Sequence, residues 1–356
     1  MFSTESPLRR INRQALLQYW RWLVAFFTGF FLVLTIFLYG RASSPHTADV
    51  KKGYQDLLAV TDAASCTGLA TAGRQRQSWL GQTLEETERR YRHTLSEREK
   101  LIAKEGGSQI DVFPPPRGRY YVLWDFFIPS FTCPFPTYRV GGLPDGGRWI
   151  CGLERILQHR PNCLIYSLLN EAPSYSGFEH DMLERSSGCE IYAFDTRSAP
   201  SRWPWGDVDV ASPGLLASRV HFNKLALADP LGSSYHSLQS VMQMFEHEWI
   251  DIVKMDLKGS EFATLLAMIA DNEDRPLPFG QLILTINVDK SDDMKSVQDF
   301  KNWFTRLECA GLRPFYFEVS MMDVNNRRGE PSVVYWSFMN IRGKHALVDD
   351  ELPDYP

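Results

Sequence analysis

The thirteen residues "WIDIVKMDLKGSE", Trp249 to Glu261, decide how the chain is read. Ile250, Ile252, Val253 and Met255 make a strand with apolar residues on both faces. Such a strand is covered on both sides, as in the parallel sheets of α/β proteins. It runs straight into a Lys-Gly turn, Lys258 and Gly259, flanked by the acids Asp256 and Glu261. Asp256 therefore ends a buried strand at its carboxyl end, the edge where open α/β sheets hold their ligands.

On either side of this phrase, strands alternate with helices. Upstream, "CLIYSLL" (163–169) and "EIYAFD" (190–195) predict strands around a helix, "GFEHDMLERSSG" (177–188). "VHFNKLALAD" (220–229) predicts a third strand, followed by an amphipathic helix, "SLQSVMQMFEHEW" (237–249). Downstream come a helix (260–272), a strand "QLILTINVD" (281–289), a helix (296–311) and two final strands (312–319 and 332–340) with no helix between them. This order implies right-handed βαβ units and a mostly parallel, doubly wound sheet, with a terminal hairpin supplying an antiparallel edge strand.

Beyond this core, the composition narrows the classes open to the protein. Apolar residues make up 44% and charged residues 23%, as in globular proteins. A formal charge of −5 provides no basic field for nucleic acid. Near the N-terminus, "WLVAFFTGFFLVLTIFLYG" (22–40) has no charged residue and is long enough to cross a hydrocarbon core of roughly 30 Å. Arg9, Arg10, Arg13 and Arg21 precede it, so the positive-inside rule keeps residues 1–21 cytoplasmic and places the rest of the chain across the bilayer. The alternative is a cleaved signal peptide, with "RASSPHTAD" as its cleavage region. Residues 41–119 read as a polar spacer and a charged stem helix starting at Thr83, with Leu84, Tyr91, Leu95 and Ile102 along one stripe. That helix is either a weakly self-associating stalk or a solvated surface helix. The compact domain is expected over 120–345, with an acidic tail over 346–356.

The six cysteines show no metal-finger spacing. Cys163 and Cys189 each precede a predicted strand, and if those strands are parallel neighbours their starts lie close enough to bond; otherwise both are buried thiols. Asp289, Asp292 and Asp293 cluster after the fifth strand, a pattern that suits a divalent cation but more simply a solvated acidic loop. His221, His236 and His247 are scattered, and no nucleophile elbow or H-E-x-x-H motif occurs.

The candidate ligand residues stand at the strand ends. Asp195 ends the second strand, where a carboxylate accepts hydrogen bonds from ribose hydroxyls, and Asp229 follows the third. After the first strand the turn reads "SLLNEAPSYSGFE", with no G-x-G-x-x-G; Ser167, Asn170 and Glu171 are its hydrogen-bonding side chains. Asp256 is the candidate base, with Lys254 or Lys258 orienting it or balancing its charge.

"CLIYSLL…FEHDMLERSSGCEIYAFDTR", "WIDIVKMDLKGSEFATL", "QLILTINV" and "VVYWSFMN" together resemble the methyltransferase-like protein 24 family, distant kin of the FkbM-type methyltransferases; "YRVGGLPDGGRWICGLERI" (138–156) is similar to that family's lead-in. The resemblance implies a class I methyltransferase fold, a Rossmann-like seven-stranded sheet with a reversed final strand. It also implies S-adenosylmethionine as cofactor, contacted at Ser167, Asp195, Asp229 and Asp256, and a membrane anchor. This chain departs from the pattern in its glycine-poor first turn, in Lys258, and in Asn287 where relatives often carry His. The expectation is thus an O-methyltransferase of the Golgi or another secretory membrane, with a luminal domain acting on a glycan or other hydroxyl acceptor. The alternative is a silent domain of the same fold that binds or scaffolds.

Overall fold

The computed structural model describes residues 78–107, 120–143, 146–170, 173, 176–199, 203–205, 213–225, 227, 236–291, 294, 296–326, 329–349 and 351. All of them fall within one compact unit, 54–356. The apolar stretch 22–40 lies outside the described residues, among which no helix is long and apolar enough to cross a membrane.

A seven-stranded sheet forms the centre, in the order β5-β4-β3-β6-β7-β9-β8. Its strands are β3 (Leu164–Leu169), β4 (Glu190–Asp195), β5 (Val220–Lys224), β6 (Ile250–Asp256), β7 (Phe279–Asn287), β8 (Leu312–Val319) and β9 (Val333–Asn340). β3 to β7 pair in parallel, whereas β9 runs antiparallel to both β7 and β8. The reversed strand is thus interior, not the edge strand that the sequence suggested. The side chains explain the placement: Val334, Trp336, Phe338 and Met339 are buried on two faces, while β8 is half-exposed along its second half. A short helix, Met321–Asn326, also stands between these two strands where none was expected.

Connections alternate across the sheet. One face packs α4 (Gly177–Arg185) and a small antiparallel hairpin, β1 (Thr137–Val140) with β2 (Arg148–Cys151). The other face packs α6 (Leu238–Met244), α7 (Glu261–Ala270) and α8 (Val297–Cys309) around Phe262, Phe300, Trp303 and Phe304. Cys163 and Cys189 are bonded to each other, as the parallel starts of β3 and β4 allow, with 4.3 Å between their Cα atoms. Cys133 bonds Cys151, and Cys309 is disulfide-bonded as well.

The charged helix read as a stem is docked against this core. It spans α1 (Trp79–Lys104) and is capped by Ser78, whose side chain accepts from the Gly81 N–H; Thr83 lies inside it. Two fork-shaped ion pairs of opposite polarity hold it. Its Arg98 donates both terminal nitrogens to Glu308 of α8 (3.0 and 2.8 Å), and its Glu88 accepts Nε and Nη2 of Arg313 on β8 (2.7 and 2.9 Å). Tyr91 donates to the same Glu308 (2.6 Å), and burial followed by that carboxylate pushes its phenol well above the usual range. The tail also begins differently from expectation, because Ala346, Leu347 and Val348 are apolar and buried, with Arg155 donating to the carbonyls of Ala346 and Asp349.

Removing one partner of a buried ion pair strands the other charge in a medium that solvates it poorly. Glu308→Ala is therefore expected to cost about 3–5 kcal/mol in urea unfolding, and Arg98→Met with Glu308→Leu to cost far less.

Candidate active site

β3 and β6 are neighbours in the sheet although β4 and β5 intervene in the chain. β3 connects outward to β4 and β6 connects outward to β7, so the crossovers diverge and leave a crevice at the carboxyl ends of β3 and β6. Asn170 and Asp256 form its lips, tied by a bond from the Asn170 N–H to the Asp256 carbonyl (3.0 Å). The Asn170 side chain reaches the Leu257 carbonyl (3.5 Å).

Below the lips lies a buried polar knot. Lys254, one turn of the pleat beneath Asp256, donates to Glu179 of α4 at 2.7 Å, with both side chains nearly sealed from water. Ser167, the register partner of Lys254 on β3, donates to the same Glu179 oxygen (2.5 Å), and Ser176 donates to the other oxygen. Burial alone would raise the Glu179 carboxyl, but Lys254 and the two hydroxyls more than offset it and hold it below its usual range. Lys254 thus spends its charge on Glu179, not on Asp256, and the Ser167 hydroxyl faces this knot.

A row of residues crosses the sheet at the level of Asp256. Leu169, Asp256, Thr285, Tyr335 and Glu318 are successive register partners on β3, β6, β7, β9 and β8. Asp195 stands next to Leu169 on the other side, at the end of β4, where it is buried and accepts the Arg197 N–H (2.9 Å). Asp195 and Asp256 are therefore two strand spacings apart, roughly 10 Å. From the hairpin, Arg148 reaches over this row to Thr285 Oγ1 (3.4 Å) and lies 3.7 Å above the Tyr335 ring.

The Lys-Gly turn closes the site from the β6 side. Lys258 is exposed and sits at a positive φ of 51°. At Gly259 an added Cβ would meet the Lys290 carbonyl oxygen at 2.7 Å, so only glycine fits the approach of the two loops. Glu261 then folds back, accepting the Gly259 N–H and the Asn287 N–H, both at 2.6 Å. Burial first, with the Asp256 charge adding to it against these hydrogen bonds, raises its carboxyl to about 7.

Four expected site residues, Asp256, Lys254, Ser167 and Asn170, come together at one crevice. Asp195 lies beside it and Lys258 on its outer turn. Glu171 and Asp229 lie outside the described residues, as do Asp292 and Asp293. His221 and His247 face the other side of the sheet, paired with Glu190 (3.0 Å) and Tyr166 (2.7 Å). Sequence reasoning passed over Glu179, Glu261 and Arg148 as site residues. Glu261 carried a signal, since an acid two residues after a Lys-Gly turn can reach back to its amide; Arg148 carried none, because its hairpin was not foreseen.

A family model described as a methyltransferase domain matches residues 112–325, which include the crevice and six of the seven strands of the sheet, β3 to β8. The chain belongs to this methyltransferase family. The strand order and the reversed β9 fit the Rossmann-like fold expected of such a domain. No curated protein matches the chain. Among solved structures, the 16S rRNA methyltransferase KamB aligns over 57% of this chain and 100% of its own, at 12% identity and a TM-score of 0.31, too distant to carry an argument.

The raised Glu261 carboxyl makes this methyltransferase domain pH-dependent in a defined direction. The unfolded carboxyl ionises near 4.5 and the folded one near 7, so Glu261 favours folding below the first value and loses that contribution as pH rises through the second. Stability should fall by about 3 kcal/mol relative to Glu261→Gln as pH rises from 4.5 to 7.5, read from denaturant unfolding at each pH.

Proposed function

We propose that this methyltransferase domain uses S-adenosylmethionine to methylate a hydroxyl acceptor at the β3/β6 crevice. The observation that carries this reading is the pair of carboxylates, Asp195 and Asp256, on one row of the sheet either side of β3, with the Lys254 charge beneath Asp256 cancelled by Glu179. A cationic sulfonium with a ribose diol fits such a site, because Asp195 offers acceptors to hydroxyls and no uncompensated lysine repels the positive charge. When bound, the cofactor supplies an electrophilic methyl group.

The chain's own residues then have three tasks. Asn170 and the knot beneath it keep β3 and β6 in fixed register, so reactants held between them meet in line. The apolar neighbours Leu169 and Leu257 limit water at the reacting centre. Asp256, half-buried at the lip, accepts the proton of the acceptor hydroxyl.

Within the family, the "DLKGSE" turn supports membership of the methyltransferase-like protein 24 group. The disulfides Cys133–Cys151 and Cys163–Cys189 suit an oxidising compartment. Together with the uncharged stretch 22–40 and the arginines before it, they support a type II anchor in a secretory membrane with the domain in the lumen, where glycan and other hydroxyl acceptors occur.

Calorimetric titration of the full chain with S-adenosylhomocysteine is expected to give saturable heat at one site; a folded sample without it would overturn the reading. Asp256→Asn should retain that binding within a few-fold and lose on the order of 10²–10⁴-fold in methyl transfer to a hydroxyl acceptor.

A further inference from the structure

Among the described residues, Arg148 is a buried cation without an anion. Its side chain is 5% exposed, yet its guanidinium meets only the Gly147 carbonyl (2.8 Å), the Thr285 hydroxyl (3.4 Å) and the face of Tyr335 (3.7 Å). Its Nε has no partner. The acids nearest in the row do not neutralise it: Glu318 is engaged by Arg139 (3.1 Å) and by the Trp149 indole (3.0 Å), and no described carboxylate forms an ion pair with Arg148. Arg98 and Arg313, by contrast, are each forked onto a carboxylate.

A second donor is orphaned close by. Asn287 stands two residues beyond Thr285 on β7, so both side chains project from the same face; it is 8% exposed and its Nδ2 has no partner. Arg148, in contact with Thr285, and Asn287, two residues further along the same face of β7, thus offer unused N–H groups one strand from Asp256. Leaving such groups dry and unpaired is costly, and a planar guanidinium matches the geometry of an oxyanion.

We propose that Arg148, with Thr285, Tyr335 and Asn287, is an oxyanion receptor that seats a carboxylate or phosphate group of a reactant beside Asp256. This deepens the methyl-transfer reading of the crevice and rests on it for the word reactant. The group belongs either to the methyl acceptor, which then carries a negative charge next to its hydroxyl, or to the carboxylate of the cofactor's amino-acid moiety. Tyr335 holds the guanidinium flat, while Thr285 fixes its inner edge.

The test follows thermal unfolding of the full chain in sodium acetate and in sodium phosphate, against sodium chloride at matched ionic strength. A ligand that binds only the folded state raises the midpoint. The wild type is expected to show a saturable rise with at least one of the two anions. In Arg148→Met, which keeps the apolar stem, half-saturation should need at least tenfold more anion. No rise in the wild type, or an equal rise in the variant, overturns the proposal. Should Arg148→Met not fold, Thr285→Val serves, with at least a threefold weaker response expected and an unchanged one overturning it.

Repeating the titration with saturating S-adenosylhomocysteine separates the sources. A rise that persists assigns the receptor to the acceptor, and one that disappears assigns it to the cofactor carboxylate. If S-adenosylhomocysteine alone leaves the wild-type midpoint unmoved, the methyl-transfer reading fails, and the anion comparison still decides whether Arg148 receives an oxyanion.

Discussion

The buried pair between Lys254 and Glu179 is the constraint on which the site depends. It joins the centre of β6 to α4, and through Ser167 it also grips β3. These are the two strands whose divergence opens the crevice. An ammonium and a carboxylate removed from water cost several kcal/mol each, and their attraction repays this only when further hydrogen bonds complete the shell. Here two serine hydroxyls complete it, so the knot is both compact and particular in its geometry.

The pair also sets the electrostatics of the crevice. With Lys254 cancelled, the row above it presents Asp195 and Asp256 on one side and an unneutralised Arg148 on the other. Such a site separates its charges, with a half that suits hydroxyls and a cationic sulfonium and a half that suits an oxyanion. Glu261 lies behind Asp256, held by two backbone amides from opposite sides of the turn, and the Lys-Gly hinge is shaped by the backbone of residue 290. The Lys-Gly turn is thus a structural clasp with its acid, Glu261, tucked inside and Lys258 exposed on it.

Much of this was legible in the chain. The runs 190–195 and 312–319 coincide with β4 and β8, and the strand 250–257 is shortened by one residue in β6. These segments are short runs rich in aliphatic and aromatic residues between turn formers, a pattern that reads as strand whatever packs against it. The Cys163–Cys189 bond was readable for the same reason, since parallel neighbours start side by side. The hairpin was not legible, because "TYRV" and "RWIC" are only four residues each, too short to show a period, and their order comes from docking on Gln281 of β7, which bonds both the N–H and the carbonyl of Cys151. The docking of α1 was hidden likewise, because Glu88 and Arg98 read as surface charges until Arg313 and Glu308 face them.

The sequence alone determined the class of fold and the acids at its strand ends, since hydrophobic period and chain order are local properties that a reader can count. Which charges meet was decided only by the tertiary structure. Lys254 lies two residues from Asp256 on the same face of β6 and pairs instead with Glu179, seventy-five residues away, because α4 packs over that face and brings its carboxylate to the level of residue 254. Arg148 owes its place over Thr285 to the same cause: a charge's partner is set by the packing of elements distant in sequence, and no spacing along the chain records it.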